Sequence, residues 1–519
     1  LAVAAPAASA LEPAGGDLVC EAPEDELAPS RLLRAISLDL RGQLPAAHEY
    51  AALPEGDDPD AALSAIDAMV EAWLASEAFA ERFVRLHQEL LWNNLDDLTL
   101  VGVRGRIRLA QGAWWRGGTQ ASFYRGSNVG CLNAPAEYDE DGAVVQTLQP
   151  DGTRREGWVW IAPYWAPDTE IRVCALDAQD ALVSPSGTLC ASTAGLNDLH
   201  CGCGPALRNC LPTGNVYPRM ITDAMAADIA HRVRDLIARD ASYLELFTSR
   251  TVWVNGPLAH YWKHLRAFPR MVVNPPPLSI DRLPELAFTD TETWIPVEMG
   301  PEHAGVLTSP AFLMRFQTNR ARADRFYNAF LCQPFNSPAG GIPVADESAQ
   351  IEPDLQVRKG CDYCHALLEP AAAYWGRWGE RGASWLDPYQ HPAFDAECQL
   401  CATTGLPCSQ RCRQFYTTTA YDPREADYLG WLQAYHFRRP EHRDFVEDGP
   451  RLLVYQTVVD GRFPRCVART AVERLLGRPP HPEEEPWLDE LAHAFVASGY
   501  RYREVLKAIV THPTYRRVR

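Results

Sequence analysis

Residues 357–370 read VRKGCDYCHALLEP and hold Cys361, Cys364 and His365 in the order C-x-x-C-H. Two thiols three positions apart share one short turn, and the next residue carries an imidazole beneath it. This is the attachment pattern of c-type haem: the thiols add to the haem vinyl groups as thioethers, and the His binds the iron as proximal ligand. On that reading Cys361 and Cys364 are the anchors and His365 the ligand of one covalent haem c. The competing reading is a redox dithiol or a disulfide with an incidental His. A thioredoxin-like C-x-x-C follows a buried strand, and the preceding IEPDLQVRKG, residues 351–360, is too charged to form one.

Downstream lies a second cysteine cluster, CQLCATTGLPCSQRC, with Cys398, Cys401, Cys408 and Cys412. Four such residues can hold zinc or an iron–sulfur cluster. In an exported chain two disulfides are expected instead, making a stapled flap that limits water access to the haem. The chain has 15 cysteines in 519 residues, a load that suits an oxidising compartment. Its opening LAVAAPAASALEP resembles the end of an export signal or a small-residue mature N-terminus, so a periplasmic or extracellular location is expected. A net charge of −18 argues against nucleic acid or an anionic membrane surface as partner and suits a basic one. No run of 18 apolar residues occurs, so no membrane span is expected.

Outward from the motif, hydrophobic spacing is mainly helical. Residues 1–28, rich in Ala, Pro, Glu and Asp, read as an extended arm. Residues 29–102 form a helical module: SRLLRAISLDL starts with Ser30 as cap, Leu63, Ile66, Met69, Val70 and Trp73 recur at helical spacing, and Phe79, Phe83, Leu86 and Leu90 make a second face. Residues 103–217 change to short alternating runs such as EGWVWIAPYW (156–165) and EIRVCAL (170–176), a cysteine-rich insertion of short strands and loops. HCGCGPALRNC (200–210) belongs to it, and its cysteines read as disulfides rather than metal ligands. Residues 218–350 are helical again, including the stretch 242–262 and, over 303–334, a loop followed by one long helix. Residues 351–440 are the haem c module with its flap, and 441–519 a C-terminal helical module in which VARTAVERLLG stops at Gly477. The fold class is therefore mainly α: a multi-module helical protein with a loop-rich, short-strand insertion and a small cytochrome c-like haem module.

Several segments match a known order of motifs. LLRAISLDLRGQLPAAHEY (32–50), LASEAFAERFVRLHQELL (74–91), LIARDASYLELFTSRTVWVNGPLAHYW (236–262), AGVLTSPAFL (304–313) with FLCQP (330–334), the haem stretch, and FPRCVARTAVERLLGRPP (463–480) follow one another in this order. The chain resembles the multi-domain cytochrome c-like proteins of planctomycetes and myxobacteria, built of modules of unknown function around a C-x-x-C-H haem site. The resemblance covers most of the chain except the insertion. It implies a haem at Cys361, Cys364 and His365. Glu369 stands where that pattern has Asp, Ala372 where it has Gly, and the cysteines at 398, 401, 408 and 412 are additional.

The second face of the iron separates an electron carrier from an enzyme. All six Met lie upstream of the motif, so a Met ligand has to come from another module, with Met314 best placed. The His candidates are His303, His391 and His436. Trp375 and Trp378, just past the motif, are candidates to wall the pocket. The expected function is an exported monohaem c-type cytochrome that passes electrons to a redox partner protein. The alternatives are a haem enzyme of peroxidase or oxidase type with an open distal site, or a haem-bearing subunit of a homo-oligomer, filament or larger surface complex.

Overall fold

A computed structural model describes residues 26–54, 58–95, 105–192, 194–265, 280–335, 352–380 and 382–517. The described chain is mainly α, about half helix and only a tenth strand, with most of its short strands in the insertion. Most of the arm read at 1–28, Cys20 included, lies outside the described residues. Its end is tied down: Leu27 N–H donates to the Arg516 carbonyl at 2.7 Å.

The first three long helices are α1 (Pro29–Arg41), α2 (Pro59–Leu74) and α3 (Glu77–Leu91). The start of α1 differs from the expected Ser cap. Pro29 takes the first helical position and Ala28 the cap, because proline's fixed φ suits the first turn and its missing N–H has no helical partner there. Asp58 caps α2 by accepting from the N–H groups of Asp60 and Ala61, and Ser76 caps α3. Ile66, Val70 and Trp73 on α2 and Phe79 and Phe83 on α3 are buried at the expected spacing, Leu63, Met69, Leu86 and Leu90 pack half-buried against the same core, and Leu91 rather than Leu90 takes the deep position.

The insertion carries a mixed sheet of β1 (Arg106–Ala110), β2 (Ala113–Arg116), β3 (Trp158–Ile161), β4 (Ile171–Cys174) and β5 (Leu211–Pro212) in the order β3-β4-β2-β1-β5. Pairs β1/β2 and β3/β4 are antiparallel, while β1/β5 and β2/β4 are parallel. Such short strands enclose little core, and covalent and ionic ties supplement it. Disulfides join Cys131 to Cys174, Cys190 to Cys201 and Cys203 to Cys210. Arg116 and Arg125, both buried, pair with Asp177 at 2.9 and 3.1 Å, and Arg125 also pairs with Glu156. Glu156, Cys174 and Asp177 converge as a metal site would. The arginines and the disulfide already occupy those groups, as the disulfide reading of the insertion expects.

Helix α4 (Val216–Ala238) follows, with Ile221, Met225, Ile229 and Val233 buried. Beyond it the helical reading of 242–262 needs correction. Thr251–Val254 forms strand β6, paired antiparallel with β7 (Ile295–Glu298). The alternating burial of Thr-Val-Trp-Val, with β-branched and aromatic side chains, favours the pleat over the helix. The loop and one long helix read over 303–334 are a short turn at Gly305–Thr308 and then two helices, Pro310–Arg315 and α5 (Asn319–Leu331). Thr318 leaves helical geometry and caps α5 through the Ala321 N–H at 3.1 Å.

The motif opens α6 (Asp362–Ala373), with Cys361 as its cap residue. Two short helices, α7 (Ala396–Thr404) and α8 (Gln410–Phe415), build the flap. Nested disulfides Cys398–Cys412 and Cys401–Cys408 staple them together. The last helices are α9 (Pro440–Val459), bent at Gly449 where φ is 72°, α10 (Arg462–Leu476), α11 (Glu485–Ala497) and α12 (Tyr502–Val510). Gly477 ends α10 in the left-handed conformation, as read. A sixth disulfide, Cys332–Cys466, ties the end of α5 to α10. One continuous apolar core draws on residues from Leu32 to Tyr515, and α6 packs between α5 and α9 at its edge.

Candidate functional site

Cys361, Cys364 and His365 stand together on the first turn of α6, all half-buried. Among the described residues six disulfides use twelve other cysteines. His365 is fixed by its own helix: its Nδ1 lies 2.7 Å from Oε1 of Glu369, one turn on. Positions i and i+4 share a helix face, so this pair follows from local geometry.

Two guanidiniums from distant segments hold the Glu369 carboxylate. Arg320 of α5 contacts Oε1, and Nη1 of Arg438 contacts Oε2 at 3.2 Å. Glu369 is 5% exposed. Burial alone pushes its pKa up, but the Arg320 hydrogen bond and charge, the Arg438 charge and the His365 hydrogen bond outweigh it and hold the group below the usual carboxylate range. As an ionised carboxylate only accepts, Nδ1 of His365 carries the proton and its Nε2 is left for a ligand.

Beyond Glu369 opens a cavity of about 770 Å³, within the range of cofactor pockets. Its walls come from four main sources, the first being Asn319 and Arg320 at the start of α5. Gly376, Trp378 and Gly379 come from the loop after α6, Arg413 and Phe415 from the flap, and Leu432, Ala434, His436 and Arg438 from the approach to α9. Arg322 holds the wall that follows α6. Fully buried, it donates to the carbonyls of Leu313, Phe316, Trp378, Gly379 and Gly382 at 2.8–3.2 Å. Gly376 is needed for close packing: a Cβ there would stand 2.7 Å from Cγ1 of Val446 on α9.

The four distal candidates separate on this geometry. His436 lines the cavity with Glu369, and its Nε2 is buried without a hydrogen-bond partner. Burial favours its neutral, ligating form. His303 is buried with Nδ1 on Thr308 Oγ1 at 3.0 Å and its ring 5.4 Å from Trp378. Its Nε2, like Nδ1 of His391, is also buried without a hydrogen-bond partner, but His303 does not line the cavity. His391 packs on Phe415 in the flap, 5.0 Å between ring centroids, and its carbonyl accepts from Arg377. Met314 is 1% exposed in the main core. Of the two tryptophans, Trp378 walls the cavity, whereas Trp375 belongs to the core and donates to the Leu307 carbonyl at 3.0 Å.

A haem fits the chemistry of these residues. The motif residues do not line the cavity themselves: His365 meets it through Glu369, His436 lines it, and Arg413 on its wall is suited to a carboxylate group such as a propionate. The sequence reading noted Glu369 only as a departure from a pattern; the i, i+4 spacing from His365 was the signal for it. At the flap, Asp395 with Cys398 and Cys412 has metal-like spacing, but both cysteines are in a disulfide and Arg411 pairs with Asp395 at 2.6 Å. Compared with protein-family models, curated proteins and solved structures, the chain finds no match.

Proposed function

We propose that this chain is an exported monohaem c-type cytochrome that carries electrons by outer-sphere transfer to a redox partner protein. One arrangement carries the reading. Glu369, whose Oε1 holds His365 Nδ1 at 2.7 Å, lines a cavity that His436 also lines. The order of motifs that resembles multi-domain cytochrome c-like proteins supports it. When bound, the haem supplies a one-electron couple. Cys361 and Cys364 would anchor it, and His365 and His436 would offer it imidazole ligands. Arg413 would face the propionate charge, while Arg320 and Arg438 hold Glu369. The flap, through Phe415, limits water. Six disulfides suit the periplasm or the cell exterior, and among the described residues no helix is long and apolar enough to cross a membrane.

The cavity's size favours a second reading, a haem enzyme, if His436 yields to a small ligand. Export of the protein with a c-type haem maturation system tests the main reading. Covalent haem that survives denaturing electrophoresis is expected in the wild type and is lost in a Cys361→Ala, Cys364→Ala double variant. A wild-type protein that matures with all its disulfides and no covalent haem rules the reading out.

A further inference from the structure

Resting on the haem reading, we infer that Glu369 is a positioning residue that makes His365 a carboxylate-paired ligand and thereby stabilises the oxidised iron. Three observations carry this. The His365 Nδ1–Glu369 Oε1 distance is 2.7 Å, the length of a charge-assisted hydrogen bond. Glu369 is 5% exposed, so water does not compete for its oxygens. Arg320 and Arg438 fix its other contacts, so the carboxylate is ionised and cannot swing away from the imidazole.

A carboxylate accepting the far N–H of a ligating imidazole orients the ring, selects the tautomer and makes the metal-facing nitrogen a stronger donor. A stronger donor favours the higher charge on the metal. The ferric state gains more than the ferrous, and the midpoint potential falls. The two arginines moderate this by drawing on the carboxylate, but they also hold it charged. The redox step itself is a one-electron change at iron. The Nδ1 proton stays on His365, and Glu369 neither gains nor loses one. A backbone carbonyl in the same place would orient His365 equally well without a full negative charge, so what this chain adds is the charge.

Glu369→Gln keeps the size and one accepting oxygen but removes the charge, while Glu369→Asp keeps the charge on a shorter side chain. Potentiometric titration of the mature holoproteins at one pH separates the effects. The Gln variant is expected to be easier to reduce by about tenfold in the one-electron equilibrium, equivalent to 59 mV, with the Asp variant closer to the wild type. A Gln variant that carries covalent haem and retains the wild-type potential overturns the inference and leaves the haem reading standing. Absence of haem from the wild type overturns the reading beneath it. If the Gln variant fails to mature, the ferric low-spin EPR spectrum of the wild type decides. A ligand field strengthened beyond that of ordinary neutral imidazole supports the inference, and an ordinary one overturns it.

Discussion

Removing the Cys332–Cys466 bridge by Cys332→Ala with Cys466→Ala gives a quantitative test of what holds the helical modules together. The bridge spans 134 residues. Chain entropy for a loop of that length gives a stabilisation of about 5 kcal/mol at 25 °C. The Cys398–Cys412 bridge lies inside the loop and shortens it by at most 14 residues, which barely changes a logarithm. The bridge Cys401–Cys408 spans only 7 residues, and the same relation gives about 2 kcal/mol for it. Urea unfolding without reductant, followed by far-UV circular dichroism and extrapolated linearly, measures both variants. The long-loop variant should lose more than twice as much stability as the short-loop one. Its m value should rise, because its unfolded chain opens further. Equal losses, or a loss under about 1 kcal/mol for the long loop, would refute the entropic reasoning and leave packing of α5 on α10 as the main tie.

Three further outcomes follow from the site and its supports. His436→Ala should make the reduced protein bind carbon monoxide, whereas His303→Ala, His391→Ala and Met314→Leu should not; the optical shift on adding the gas reads this out. Arg322→Leu leaves five carbonyls without their shared donor and should cost at least about 3 kcal/mol in urea unfolding. Burial pushes the His87 pKa from 6.5 down to about 4, and its Nε2 bonds Tyr243 at 2.7 Å. The unfolded chain therefore binds more protons between these values. Stability is full above pH 6.5 and falls as the pH drops toward 4, by about 3 kcal/mol from this group. In His87→Phe the melting temperature should depend less on pH over that range.

The C-x-x-C-H motif was legible because Cys361, Cys364 and His365 are neighbours in sequence, and the haem proposal starts from that local spacing. The buried faces of α2 and α3 were legible for a similar reason, since helical period is a local property, and so was the stop at Gly477. The flap's disulfide character followed from cysteine density. What escaped notice depends on distant chain segments. Arg320 and Arg438 meet Glu369 from 49 and 69 residues away, and nothing near either marks them as partners. Strand β6 was read as helix because its pairing with β7 is supplied by a segment some forty residues downstream. His436 was equal to His303 and His391 in sequence; only the shape of the cavity distinguishes them. The pairing of Cys332 with Cys466 likewise needed the packing of α5 on α10.

The most direct test of the central claim is an optical spectrum of the exported, purified protein, oxidised and then reduced, with and without carbon monoxide. The expected result is a c-type reduced spectrum that carbon monoxide does not move, with His365 and His436 closing both faces of the iron. A spectrum shifted by carbon monoxide would contradict the closed site and favour the enzyme reading. The absence of any haem band would contradict the haem itself and leave Cys361, Cys364 and His365 as a dithiol or disulfide beside an incidental imidazole.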